Sequence, residues 1–146
     1  MRFPSLFGFL ITLLSLMAVS LPAKSSDLLV ITGSSQTNEL NLQQVRHIFN
    51  MRMQSWPNGQ RLTIATLPNT HETHQKLVRD LLETNQNQLE QNWTRRIFSG
   101  RATAPIKARN ESELFEILQQ NPYAIGYVSR NTPLPDHIQI VFEYAL

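Results

Sequence analysis

The segment Asn92-Trp93-Thr94-Arg95-Arg96-Ile97-Phe98-Ser99-Gly100-Arg101 constrains the fold more than any other part of the chain. Leu89, Trp93 and Ile97 recur at every fourth position, so one helical face carries a large aromatic and two aliphatic side chains that must be buried. Ser99-Gly100 then stops that helix, because glycine enters the left-handed backbone region that closes a helical C-terminus. Arg95, Arg96 and Arg101 surround the stop, setting three permanent positive charges beside a polar turn. A helix with this anchor needs a layer to pack on, and the rest of the chain supplies one.

A chain of 146 residues makes one domain the default. Its start has the layout of a secretory signal peptide: Met1-Arg2, an apolar run from Leu6 to Val19, then small residues at Ala18, Ser20 and Ala23. The run is shorter than the roughly 20 residues that span a bilayer, so cleavage is expected, leaving residues 24–146 as the exported domain. With no cysteine there is no disulfide framework, which suits a bacterial periplasm better than an animal extracellular space. Thirteen Lys and Arg, one of them Arg2, face eleven Asp and Glu, so no excess positive field exists to drive nucleic-acid binding.

Periodicity and punctuation give the element order. Leu28 to Thr32 is an aliphatic, β-branched run closed by Gly33-Ser34-Ser35 and reads as a buried strand. Asn41 caps a short helix with Leu42, Val45, Ile48 and Phe49 on one face, ending near Asn50. Trp56-Pro57-Asn58-Gly59 is a turn, and Arg61 to Leu67 then alternates as a second strand. Pro68-Asn69-Thr70 breaks the strand and caps a helix that buries Leu77, Val78, Leu81 and Leu82. The polar stretch from Asn85 to Asn92 reads as a corner leading into the anchor helix. After a loop or short strand from Ala102 to Lys107, Asn110-x-x-Glu113 caps a helix with Leu114, Ile117 and Leu118 inward, and Asn121-Pro122 ends it. Tyr123 to Val128 and His137 to Glu143 read as strands, the second alternating. Strands interspersed with helices predict an α/β domain with helices covering a mixed sheet.

Three pieces in this order carry a family resemblance. Val45-x-x-Ile48-Phe49 with Trp56-Pro57-Asn58-Gly59, then Trp93-x-Arg95-x-Ile97-Phe98-Ser99-Gly100, then Asn121-Pro122-Tyr123-Ala124-Ile125-Gly126-Tyr127-Val128, resemble the short, single-lobe relatives of periplasmic phosphate-binding proteins. The resemblance implies a single lobe of a type II periplasmic binding-protein fold. It also implies periplasmic residence, transport of phosphate or another small oxyanion, and an ABC importer as partner. In the longer members an Arg and a Ser-Gly-Thr turn at a helix start hold the anion. The corresponding stretch here, Leu67-Pro68-Asn69-Thr70-His71-Glu72-Thr73-His74, has neither the Arg nor the glycine turn, and it carries Glu72.

Two functional readings are therefore open. In the first, hydroxyl and amide donors at Thr70, His71 and Thr73 meet an oxyanion at a helix start, with Ser99 and Arg101 as a second group. In the second, the lobe is a protein-interaction or sensory module, docking on a membrane sensor protein through Arg95, Arg96, Lys107 and Arg109. That run has no acidic residue between Gln91 and Asn110. His71 and His74 stand three apart on one predicted helix face, but no Cys or Asp completes a metal set, and His47 and His137 read as solvent-facing. Trp56, Trp93, Phe98 and Tyr127 are expected in the core or packing loops. There is no nucleophile motif and no phosphate-loop glycine pattern, so neither catalytic residues nor a cofactor are expected.

Overall fold

The computed structural model of the protein describes residues 26–33 and 39–145, so the signal-peptide reading of residues 1–23 lies outside the described residues. The elements run β1 (Ser26–Gly33), α1 (Leu42–Phe49), β2 (Thr63–Thr66), α2 (Glu72–Lys76) with a π-helical turn (Leu77–Leu81), α3 (Gln86–Phe98), β3 (Ile106–Lys107), α4 (Glu111–Gln120), β4 (Ala124–Ser129) and β5 (Ile138–Ala145). The strands form one mixed sheet in the order β3-β2-β4-β1-β5. Here β2 runs parallel to β3 and β4, while β1 is antiparallel to β4 and β5. This is the α/β architecture expected from the sequence.

Local chemistry explains most element boundaries. Asn41, Asn85 and Asn110 each accept a backbone N–H in the first turn of the helix that follows, at 2.9, 3.0 and 2.9 Å. Gly59 (φ +86°) reverses the chain after Trp56, whose indole N–H donates to the Tyr123 carbonyl at 2.8 Å. Gly33 lies so close to the α4–β4 turn that a Cβ there would stand 2.7 Å from the Leu118 carbonyl oxygen, locking the end of β1 under that turn.

Four details differ from the sequence reading. Asn85 to Asn92 is not a corner: α3 starts at Gln86, and the polar side chains are the exposed side of its first two turns, with Leu89 buried among them. In β2, Ile64, Ala65 and Thr66 are all buried, because a parallel strand between two others is covered on both faces and need not alternate. The alternation expected in β5 is interrupted at Val141, where Val30 pairs with Phe142 and Ile31 with Ile140, and the extra residue's carbonyl turns to accept the Leu40 N–H at 2.8 Å. Phe98 is 87% exposed, outside any core, because it lies off the Leu89-Trp93-Ile97 face that α3 buries.

The anchor helix itself behaves as its spacing requires. Leu89 and Trp93 are buried, Ile97 packs at the margin, and the Trp93 indole N–H donates to the Phe49 carbonyl at 2.7 Å, tying α3 to the end of α1.

Candidate functional site

Parallel strands β2 and β3 end side by side, and in open α/β sheets the space beyond such carboxyl ends is where ligands bind. An open cleft of about 690 Å³ lies there. Thr66, Leu67, Pro68, Asn69 and Thr70 line one side, Glu90, Trp93, Thr94 and Ile97 of α3 the second, and Ala104, Pro105, Lys107, Ala108 and Arg109 around β3 the third. The wall is built by elements that the sequence specifies locally: Pro68 ends β2, the Trp93 face sets α3, and Pro105 precedes the short β3.

Its charges largely cancel. Lys107 faces Glu90, whose carboxyl is held below the usual carboxylate range by hydrogen bonds from the Gln86 and Asn69 side-chain amides, at 2.9 and 2.7 Å. Arg109 is committed to Glu113, with Nε 2.7 Å from Oε2. The cleft is a groove of mixed apolar and polar lining with one uncommitted ammonium, not a strongly positive one.

Of the donors at the start of α2, only Thr70 reaches this cleft. His71 instead caps the helix, its Nδ1 accepting the Thr73 N–H at 3.2 Å, and Thr73 is buried. Glu72 points outward and pairs with Lys76 at 3.2 Å. His71 and His74 are not a pair of ligands on one surface: His74 is 1% exposed and turned into the core. Among the described residues no group of three His, Cys, Asp or Glu is placed to hold a metal ion. Ser99 and Arg101 line a different, smaller pocket with Asn50, Arg52, Asn92, Arg95 and Arg96, so the basic run divides between two places: Lys107 and Arg109 in the cleft, Arg95, Arg96 and Arg101 in the pocket.

Behind the cleft runs a polar relay that sequence reasoning missed. The Leu67 N–H donates to the Tyr127 hydroxyl at 3.0 Å, that hydroxyl meets His74 Nδ1, and His74 Nε2 lies 2.9 Å from Gln86 Oε1. Gln86 continues to Glu90 at the cleft wall. Gln86 donates its amide N–H to Glu90 and so turns its oxygen, an acceptor only, to His74 Nε2; His74 therefore carries its proton on Nε2, and Nδ1 accepts the Tyr127 O–H. Burial pushes the His74 pKa below 6.5 and the Tyr127 pKa well above its ordinary value. A tyrosine in an otherwise apolar buried strand was the one available signal, and nothing local pairs it with residues 53 and 60 positions away.

No protein-family model matches the chain, and no curated protein matches it in sequence. Solved structures do match in fold. One, described as a phosphate ABC transporter substrate-binding protein with bound phosphate from Clostridium perfringens, superposes with a TM-score of 0.61 at 15% identity, covering 80% of this chain and 44% of that one. An ABC-type phosphate transport receptor from Vibrio cholerae gives 0.52 at 11% identity, over 80% of this chain and 45% of its own. PstS from Borrelia burgdorferi gives 0.53 at 13%, over 72% and 41%. The chain thus spans less than half the length of the structures it resembles. At such identities the likeness speaks for the fold alone: the described residues form a single lobe of the periplasmic binding-protein architecture that these phosphate-binding proteins share.

Proposed function

We propose that residues 24–146 act in the periplasm, after removal of residues 1–23, as a non-enzymatic solute-binding-like domain that meets phosphate or another small oxyanion weakly in the β2–β3 cleft. The observation that carries this reading is the cleft's position at the carboxyl ends of parallel strands, in a lobe shared with phosphate-binding proteins. Thr70 and Lys107 are its donors. Weak affinity follows from the charge balance: Glu90 opposes Lys107 and Arg109 is held by Glu113. An ABC importer is the partner that transport would require.

Isothermal titration of the mature domain with phosphate, sulfate and a phosphonate tests the reading. Millimolar binding that Lys107→Gln removes is the expected result. Absence of both heat and thermal shift at millimolar ligand would eliminate it.

The same charge balance favours one alternative, a protein-interaction or sensory module that retains the lobe without ligand affinity. A membrane sensor captured from an envelope extract, and lost on charge reversal at Arg95, Arg96 and Arg101 with the melting temperature unchanged, is what that alternative requires. Capture indifferent to those charges would exclude it.

A further inference from the structure

Two helix C-termini meet beside the Trp93 anchor, and both close with the same backbone motif. After α1, Met51 (φ +57°) donates to Ile48 O at 2.8 Å and Arg52 to His47 O at 2.7 Å. After α3, Gly100 (φ +74°) donates to Ile97 O at 3.1 Å and Arg101 to Arg96 O at 2.9 Å. This is the Schellman closure, in which backbone N–H groups satisfy the final carbonyls. In both cases the residue delivered just past the left-handed position is an arginine.

Arg52 and Arg101 line an open pocket of about 240 Å³ together with Arg95 and Arg96 from the last turn of α3, and its other lining residues are Asn50, Asn92 and Ser99. Among the described residues no carboxylate lines it. Among the described residues the ion pairs engage Arg46, Lys76, Arg79, Arg109 and Arg130, and none of the four pocket arginines. The Arg96 guanidinium makes one long contact, 3.4 Å, to the Met51 carbonyl.

The ordinary role of arginine at a helix end is to complement the dipole, and magnitude decides how far that goes. Each C-terminus presents about half a negative charge, so two converging ends account for about one of the four guanidinium charges. The closures satisfy the His47 and Ile48 carbonyls at one end and the Arg96 and Ile97 carbonyls at the other. Roughly three positive charges are left in one small polar pocket, with no carboxylate partner among the described residues.

We infer that this pocket binds a phosphate group, at a site separate from the β2–β3 cleft. Guanidinium forks match phosphate oxygens bidentately, and the surplus charge over a lining of polar and charged residues suits one multiply charged free phosphate, or several singly charged phosphodiester heads gathered at once, better than a lone monocarboxylate. The group is either a free phosphate or the head of an anionic phospholipid. Phe98, exposed on the same last turn of α3, would seat in the interfacial layer in the lipid case.

Amide NMR titration of the mature domain with pyrophosphate, and co-sedimentation with phosphatidylglycerol or phosphatidylcholine vesicles, test the inference. Pyrophosphate should shift the amides of residues 50–52 and 99–101, and Arg52→Gln with Arg101→Gln should weaken binding at least tenfold. Both side chains are exposed, and their backbone bonds survive the substitution, so the melting temperature should hold. A lipid source adds sedimentation with phosphatidylglycerol but not phosphatidylcholine, reduced by Phe98→Ser. A free-phosphate source leaves the domain in the supernatant with both vesicles. Binding lost with Lys107→Gln but untouched by the Arg52–Arg101 pair refutes this pocket and leaves the cleft standing. The converse result supports the pocket and sinks the cleft. No binding by pyrophosphate or either vesicle refutes the inference outright.

Discussion

Replacing Tyr127 by Phe removes one oxygen from the middle of the sheet and tests whether the buried relay holds the cleft wall. The ring stays: its edge-to-face packing on Phe49, with centroids 5.6 Å apart, does not involve the hydroxyl, so no cavity opens. Two polar groups lose their partner at once, the Leu67 N–H and His74 Nδ1, both on fully or nearly fully buried residues. An orphaned buried donor or acceptor costs about 1–3 kcal/mol, so the pair should cost roughly 2–6 kcal/mol. For a domain of this size that is a fall in melting temperature of about 10 °C. Urea unfolding should show the midpoint lowered with the slope unchanged, since the surface exposed on unfolding is nearly the same. Hydrogen exchange at the Leu67 amide should accelerate beyond the global effect. A loss below about 0.5 kcal/mol, with Leu67 still protected, would refute the claim that this hydroxyl secures the β2 exit.

Four further outcomes follow from the geometry. His74 is held neutral with its pKa depressed below 6.5 by burial, so the unfolded chain binds the extra proton more readily. Stability should be flat above pH 6.5, fall as pH drops below it, and lose that acid limb in His74→Gln, which pH-dependent urea midpoints would reveal. Met51→Gly relieves a left-handed backbone worth about 1 kcal/mol but deletes a side chain buried to 1% exposure, worth about 2–5 kcal/mol, so it should destabilise on balance. A more stable variant by calorimetry would contradict that ordering. Gly33→Ala should lower stability by about 1–3 kcal/mol or more, because its Cβ meets a backbone oxygen. Gly126→Ala should cost less, since its nearest neighbour is the movable Leu114 side chain at 3.1 Å, and equal losses for the two would show the contact argument to be wrong.

Residues within one turn or one strand of each other determined much of this protein. The Asn41 and Asn110 caps, the Gly59 and Gly100 reversals, the Leu89-Trp93-Ile97 face and the buried first strand all follow from neighbours along the chain, so their signals sit in the sequence. Those signals were sufficient for the α/β class and for the order of its elements. They failed where packing supplies the other half of the information. Whether β2 alternates depends on what covers its second face, and whether the apolar Phe98 is covered depends on what packs beside the end of α3.

The site divides along the same line. The sequence alone marked Thr70, Ser99, Arg101 and the basic run as polar groups near helix ends. Only the tertiary structure separated Thr70, with Lys107, from Ser99 and Arg101, and it brought Arg52 from the end of α1 to join Arg101 from the end of α3. It also buried His74 against Tyr127 and left its neighbour His71 as a cap. Hydrogen bonds and Coulomb interactions act over a few ångströms of space regardless of how many residues intervene, whereas helical and strand periodicities repeat over a few positions of chain. The elements were therefore written locally, and the company each charge keeps was decided by the fold.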